Sequence, residues 1–164
     1  MSAVTVRRAT LEDAQIVAEL AQKLVQQHTD YNPRRFMPPA AYEQVTRFYG
    51  SQTKVRNAAV LVAEFDKKII GFAFVQFEVK NYSDLLESAA WLHDIYVDEA
   101  ARRLDAGEKL IEMAVETAKE FGANKLMLTV AAENEVAQVF FKHIGFRTTM
   151  VEMMLDLTEE KGND

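Results

Sequence analysis

One stretch of the sequence combines the residue types that bind an anion. Val97 ends an apolar segment, and the residues after it include two adjacent arginines, Arg102 and Arg103, and then Gly107 at the start of a helix-like apolar repeat. A turn from a buried strand into a helix directs several unpaired N–H groups and the positive helix end at one point. We therefore predict a phosphate or pyrophosphate site at this turn. The alternative is an ordinary strand-to-helix connection with two solvated arginines.

Asp105 lies inside this turn and acts on it in two ways. Aspartate tolerates left-handed backbone angles better than most residues, so the turn can form. Asp105 and Glu108 also stand three residues apart, as in a capping box, and such a pair would take the N–H groups that an anion needs. We expect Arg102 and Arg103 to offset this competition, so that anion binding is weakened but not abolished.

Composition excludes several other functions. The chain has 164 residues, a net charge of -6 and no cysteine, which argues against disulfides, thiolate catalysis and cysteine-type zinc sites. His28, His93 and His143 are too far apart for a helical metal motif, so we predict no metal. An acidic chain without a long apolar run predicts no nucleic-acid or membrane partner and a cytoplasmic location. We predict one domain over residues 1–158 and a short charged tail over residues 159–164.

The elements that position the turn follow from the apolar periodicity. Alternating or continuous apolar runs predict strands over residues 4–7, 58–65, 69–79, 89–97 and 125–130. Repeats of three and four residues predict helices over residues 10–28, 42–49, 107–121 and 135–144. Residues 146–157 read as two short antiparallel strands or one bent strand. This order predicts an α/β (α+β) domain with a mixed sheet and helices on its faces.

Three motifs in these elements resemble the GNAT superfamily of acyl-CoA N-acyltransferases over nearly the whole chain. Residues 102–107 match the first and last positions of its Gln/Arg-x-x-Gly-x-Gly/Ala signature, residues 91–97 resemble its splayed fourth strand, and Asn134, Ala137, Phe140, Gly145 and Phe146 resemble its Asn-x-x-Ala…Gly-Phe element. The resemblance implies a GNAT fold with a mostly antiparallel, mixed sheet of about seven strands, flanked by about four helices and split at the fourth strand.

The resemblance also implies acetyl-CoA as cosubstrate and a possible homodimer. The residues expected to contact acetyl-CoA are Ile95, Tyr96, Val97, Arg102, Arg103, Leu104, Asp105, Ala106, Gly107, Glu108, Asn134 and Phe141. Two of them depart from the family. Asp105 replaces the usual glycine, and Phe141 replaces a tyrosine that protonates the departing thiolate. Water, Tyr31 or Tyr96 could take over that step, because a thiol with a pKa of about 8.5 is a tolerable leaving group.

An amine acceptor arrives protonated and needs a base. His93 is the preferred catalytic residue, since arylalkylamine acetyltransferase relatives carry histidine there, while a structural histidine is the alternative. Asp94 is a second catalytic candidate, and Glu78 is a weaker one. Trp91 stands where histone-type relatives carry a glutamate base, which argues against their mechanism.

The loop after the first long helix is expected to bind the acceptor. Tyr31, Arg34, Arg35 and Phe36 are the substrate-binding candidates, although exposed surface arginines are the alternative. The function predicted from these residues is direct transfer of an acetyl group to a primary amine of a small molecule or peptide, in a ternary complex. The alternative is a catalytically weakened GNAT-fold module that binds acyl-CoA or regulates a partner.

Overall fold

The computed structural model describes residues 2–158. A five-stranded sheet and four α-helices make up this part of the chain. The elements are β1 (Thr5–Arg8), α1 (Ala14–Tyr31), α2 (Tyr42–Gln52), β2 (Ala58–Phe65), β3 (Lys68–Glu78), β4 (Ala89–Val97), α3 (Ala106–Glu120), β5 (Leu126–Met127) and α4 (Glu135–Ile144), with single 3₁₀ turns before α1 and before α3.

The sheet has the order β1-β2-β3-β4-β5. The first four strands pair antiparallel, and β5 pairs parallel with β4 through only two residue pairs, Ala90 with Leu126 and Trp91 with Met127. The mixed, mostly antiparallel sheet expected from the sequence is confirmed. The expectation of about seven strands is wrong for the described residues, because residues 146–157 form no strand and the fifth strand shrinks to two residues.

The two faces of the sheet are covered by different helices. Val17 and Leu20 of α1 and Tyr49 of α2 pack with Val60 and Phe72 of the sheet in one buried cluster. Leu110, Ile111 and Ala114 of α3 are also buried, and α3 lies against β2, β3 and β4. These residues recur at three- and four-residue spacing along their helices, so burial of one apolar stripe explains why these segments fold as helices.

An ion-pair network fixes the entry to α1. Arg7 on β1 donates to both carboxylate oxygens of Asp13, at 2.7 and 3.0 Å, and to Glu64 on β2 at 2.7 Å. The Thr10 N–H also donates to Asp13 at 2.7 Å, as in a capping box at the start of a helix. The Arg7 guanidinium holds the pKa of Asp13 below its usual value. The network therefore joins two neighbouring strands to the start of the first helix.

The described chain divides into two compact units. Residues 2–24 and 39–129 form the first, which contains the whole sheet, and residues 25–38 and 130–158 form the second. In the second unit Phe141 of α4 is buried and contacts Phe140 and Phe146, with ring centroids 5.5 and 5.7 Å apart. Within residues 2–158, no helix has the length and apolar character needed to cross a bilayer. The predicted tail over residues 159–164 lies outside the described residues.

Candidate active site

The turn before α3 forms without a side-chain cap. Asp105, its N-cap residue, has φ 60° and ψ 12°, which is the left-handed conformation that the sequence predicts it can adopt. Its side chain makes no capping hydrogen bond, so the first N–H groups of α3 are not consumed in the way that the Asp105–Glu108 pair suggested. The turn therefore presents free backbone donors and the positive end of a fifteen-residue helix.

The two arginines of the turn are both exposed, and one of them is held against β4. Arg102 donates from Nε to the Val97 carbonyl oxygen at 3.3 Å, and its guanidinium lies 5.8 Å from the centre of the Tyr96 ring. This contact positions one positive charge where β4 ends and the turn begins. Arg103 adds a second charge in the same turn.

The outer edge of β4 opens beside this turn. On its inner side β4 pairs with β3 up to Val97, but on its outer side the pairing with β5 stops at Trp91. In an antiparallel strand alternate residues direct their N–H and C=O groups outward, so part of the main chain over residues 92–97 has no strand to bind on that side. Residues 95–97, the predicted cofactor residues of this strand, lie in the open part.

A β-bulge in β4 directs His93 and Asp94 to the same face of the sheet. Phe74 pairs with Asp94 and the next β3 residue pairs with Leu92, so His93 is the extra residue. The contacts agree with this geometry. The His93 ring stacks on Trp91 with centroids 6.0 Å apart and lies 5.9 Å from Phe74, and Phe74 belongs to the face covered by α1 and α2. A regular strand would have turned the two side chains to opposite faces.

Each of these two residues has a specific partner. His93 Nε2 lies 2.5 Å from a carboxylate oxygen of Glu78 on β3, and both side chains remain more than one-third exposed. Asp94 accepts a hydrogen bond of 2.8 Å from the hydroxyl of Tyr49, which is buried. Burial, and secondarily the Asp94 charge, raises the pKa of Tyr49 far above its usual value, so Tyr49 stays a proton donor to Asp94.

These partnerships separate the roles of the predicted catalytic residues. Asp94 is engaged by a buried tyrosine, whereas His93 is paired with a carboxylate near solvent. The sequence offers Glu78 only as a weaker catalytic candidate in its own right and gives no sign that Tyr49 binds Asp94. The register of β3 against β4 places Glu78 opposite Ala89, and the side chains of Glu78 and His93 meet along the sheet face. The pattern of the sequence gives no sign of this contact.

The predicted acceptor loop lies in the second unit, where both of its arginines already bind carboxylates. Arg34 donates to Asp156 at 2.5 and 3.0 Å, and Arg35 pairs with Glu152 while its guanidinium lies 4.9 Å from the centre of the Phe36 ring. These arginines hold the pKa values of Asp156 and Glu152 below their usual values.

The acceptor role of this loop stays a prediction, and for the arginines it requires these ion pairs to open. Tyr31 and Phe36 both contact the His28 ring edge to face, with centroids 5.8 and 5.0 Å from it. The aromatic side chains of the loop therefore pack around one histidine.

The two later cofactor candidates also lie in the second unit. Asn134 is the N-cap of α4, and its side-chain oxygen accepts a hydrogen bond from the Ala137 N–H at 3.1 Å. Phe141 is buried in the aromatic cluster described above, and a phenyl ring has no proton to donate. Asn134 thus caps its own helix. Cofactor binding by Asn134 or by Phe141 stays a prediction.

A helix N-terminus free of side-chain caps and an open strand edge lie side by side, and the same strand carries a histidine paired with a carboxylate. The family model described as "Acetyltransferase (GNAT) family" matches residues 20–146, and the chain belongs to this family. It is therefore an acyltransferase. The resemblance found in the sequence is confirmed, as is the GNAT-like fold apart from its number of strands.

Several known proteins are similar to the chain. The D-amino-acid N-acetyltransferase HPA3 of Saccharomyces cerevisiae is 26% identical over 133 residues, which cover 81% of each chain. A probable N-acetyltransferase, camello, of Xenopus tropicalis is 29% identical over 104 residues, which cover 63% of this chain but 45% of that protein. The chain thus spans less than half of the length of this second relative.

Solved structures support the fold. A mutant of the BH1408 protein of Bacillus halodurans superposes with a TM-score of 0.80 at 21% identity, covering 93% of this chain and 99% of that one. The aminoglycoside N-acetyltransferase AAC(6')-Iy, solved in complex with CoA, superposes with a TM-score of 0.79 at 16% identity, covering 96% and 97%. At these identities the similarity supports the architecture alone.

Proposed function

We propose that this chain transfers the acetyl group of acetyl-CoA directly to a primary amine of a small molecule or peptide. The observation that carries the proposal is the turn before α3, which has a left-handed Asp105, no side-chain cap and two arginines beside the open edge of β4. One relative is named a D-amino-acid N-acetyltransferase, another is named a probable N-acetyltransferase, and one similar structure holds CoA, which supports the same donor here.

The residues of the turn fit the anionic end of the donor. The N–H groups of Ala106, Gly107 and Glu108 would bind its pyrophosphate together with Arg102 and Arg103. The outward main-chain groups of residues 95–97 would bind the amides of its pantetheine arm, as an added strand would. When bound, acetyl-CoA supplies an activated thioester, so this chain needs no nucleophile of its own to form an acyl intermediate.

His93 is suited to remove the proton from the amine. An ionised carboxylate only accepts hydrogen bonds, so the proton shared with Glu78 belongs to His93 Nε2. Nδ1 is then the nitrogen left to accept a proton from the acceptor's ammonium group. Glu78 stabilises the imidazolium that results, since the two opposite charges are in contact. The aromatic rings of Trp91 and Phe74 hold the imidazole in place.

The proton for the departing sulfur has a less defined source. Phe141 cannot supply it, and Tyr49 is committed to Asp94. We propose that the C–S bond breaks as the nitrogen–carbon bond is made, and that the second proton of the amine nitrogen passes through water to the departing thiolate, which is a tolerable leaving group near neutral pH. Tyr96 is the alternative proton donor from this unit that the sequence analysis named. Its ring lies against the Arg102 guanidinium at the end of β4.

A second function remains open because of Asp105 and Phe141. An exposed carboxylate in the turn opposes a diphosphate, and the phenyl ring removes a proton donor. Both changes would suit a module that binds acyl-CoA weakly or regulates a partner.

The single domain over residues 1–158, the cytoplasmic location and the homodimer also stay predictions.

A thiol-release assay with acetyl-CoA and a panel of amines, amino acids and peptides tests the proposal. Wild type should turn over at least one amine, and His93→Ala should lower kcat/KM by about 10² or more because the base is lost. His143→Ala, at an exposed histidine of α4, is the matched control and should change little. Turnover that His93→Ala leaves intact would exclude His93 as the base. Binding of acetyl-CoA without turnover of any amine would favour the module.

A further inference from the structure

The bulge in β4 reverses the direction of the main-chain groups that follow it. Before the bulge, Ala90 donates its N–H outward, to the Lys125 carbonyl oxygen at 3.2 Å. Regular alternation from Ala90 would turn the main-chain groups of Asp94 outward as well. After the bulge, Asp98 donates its N–H inward, to the Ile70 carbonyl oxygen of β3 at 2.7 Å. The same alternation counted back from Asp98 turns the groups of Asp94 inward, so the reversal takes place at the bulge.

The position of the bulge decides which main-chain groups face the open edge of β4. By the alternation after the bulge, Tyr96 points its groups to β3, whereas Ile95 and Val97 point theirs outward. The Val97 carbonyl oxygen agrees with this, because it accepts a hydrogen bond from Arg102 in the turn before α3. A bulge at the end of β4 would instead turn Asp94 and Tyr96 outward. The groups proposed to bind the acyl donor thus depend on where the bulge lies.

A buried hydroxyl on α2 holds Asp94 on its present face of the sheet. Asp94 accepts from the Tyr49 hydroxyl at 2.8 Å, and this is the one hydrogen bond that the hydroxyl makes within residues 2–158. A bulge moved past Asp94 would turn its side chain to the other face and leave the hydroxyl buried without a partner. Tyr49 cannot follow, because its ring packs edge to face on Phe72 and Phe74, with centroids 5.4 and 6.0 Å apart.

We infer that Tyr49 is a positioning residue for the acyl donor: through Asp94 it fixes the bulge, and so keeps the main-chain groups of Ile95 and Val97 at the open edge. On the other side of the bulge, His93 is held by partners of its own. The two sides of the bulge are therefore fixed separately, and the side that leads to the donor depends on α2. The identity of the ligand rests on the proposed function, whereas the effect on β4 does not.

Calorimetry with two ligands tests this role. Tyr49→Phe keeps the ring and removes the hydroxyl, and it should weaken binding of coenzyme A about tenfold, the equivalent of one or two hydrogen bonds to the pantetheine arm. ADP has a pyrophosphate but no such arm, so its binding should not change. Tyr42→Phe, which removes another hydroxyl from α2, is the control and should alter neither affinity. Asp94→Asn can still accept the Tyr49 bond and should weaken coenzyme A binding less than Asp94→Ala. An unchanged affinity of Tyr49→Phe for coenzyme A, or an equal loss for both ligands, would overturn the inference.

Amide hydrogen exchange, resolved by residue with NMR, tests the same role without a ligand. In wild type the amides of Ile95 and Val97 should exchange fast, because they face the open edge. Those of Asp94 and Tyr96 should be protected by bonds to β3. Tyr49→Phe should lower this protection about tenfold more than it lowers the protection of the β2 amides bonded to β3. An equal loss in both strands would mean that Tyr49 only stabilises the fold, and it would overturn the inference. If wild type binds no coenzyme A, the proposed function fails and hydrogen exchange alone decides the role of Tyr49.

Discussion

Replacing Asp105 separates the two effects that this residue has on the turn before α3. Its left-handed backbone, at φ 60°, is one that asparagine and glycine accept and alanine does not. Its carboxylate is exposed and stands in the turn proposed to bind pyrophosphate. Asp105→Asn therefore removes the charge and keeps the backbone, whereas Asp105→Ala removes the charge and strains the backbone.

The expected magnitudes follow from these differences. Repulsion between a carboxylate and a phosphate charge about 7 Å apart is about 0.6 kcal/mol in a medium with the dielectric constant of water, so Asp105→Asn should bind coenzyme A about threefold more tightly at low salt. At about 0.15 M ionic strength the Debye length is near 8 Å, and the gain should fall. Asp105→Ala should lower the free energy of unfolding by about 1 kcal/mol, while Asp105→Asn should leave it unchanged.

Isothermal titration calorimetry with coenzyme A and urea denaturation measure the two effects. Asp105→Gly, which has no charge and no backbone strain, should bind like Asp105→Asn and serves as the control. If Asp105→Asn binds no more tightly than wild type at low salt, the carboxylate does not oppose the donor. If Asp105→Ala is as stable as wild type, the left-handed backbone at this position carries no cost for alanine.

Three further predictions concern stability, each measured by urea denaturation. Tyr49→Phe should lower the free energy of unfolding by about 2 kcal/mol, because it removes a buried hydrogen bond to the Asp94 carboxylate; an unchanged midpoint would mean that this bond contributes nothing. Asp13→Asn tests a pH dependence. The pKa of Asp13 is lowered by Arg7 in the folded state, so its contribution is present above the usual aspartate value and is lost as the pH falls towards the folded value. Wild type should accordingly lose more stability than Asp13→Asn between about pH 4 and pH 2, and equal losses would contradict the linkage. Gly71→Ala should cost about 1–3 kcal/mol, since its Cβ would lie 2.9 Å from a β4 carbonyl oxygen, and a neutral effect would show that the sheet yields easily.

Most of the fold could be predicted from the sequence because its signals are local. The apolar repeats predict all four helices, and Gly122 and Gly145 adopt the positive φ values expected of residues that end helices. The strands predicted over residues 146–157 are not formed. Residues 146–157 have strand-like composition, but a strand also needs a partner, and composition does not report whether one is present.

The site could be predicted in part. The conformation of Asp105 follows from its residue type, and the turn and the open edge of β4 lie where the motifs place them. The partners of His93 and Asp94 could not be derived, because alternation along a strand predicts opposite faces for neighbours. Their shared face depends on the register between β3 and β4, which is a property of two segments and not of either one.

His93 is one extra residue in β4, and the bulge accommodates it while the residues on both sides stay paired with β3. Without it, Asp94 would lie opposite Phe74 as it does now, and the strand beyond would keep its alignment. A functional side chain can thus be gained or lost here without shifting the rest of β4. The bulge lies just after the last residue pair between β4 and β5, so the extra residue places the proposed base on one face of the sheet beside the open edge. On the proposed function, the groups that would bind the acyl donor and the group that would take the proton of the acceptor share one short stretch of β4, residues 93–97. A substitution in this stretch should therefore affect both steps.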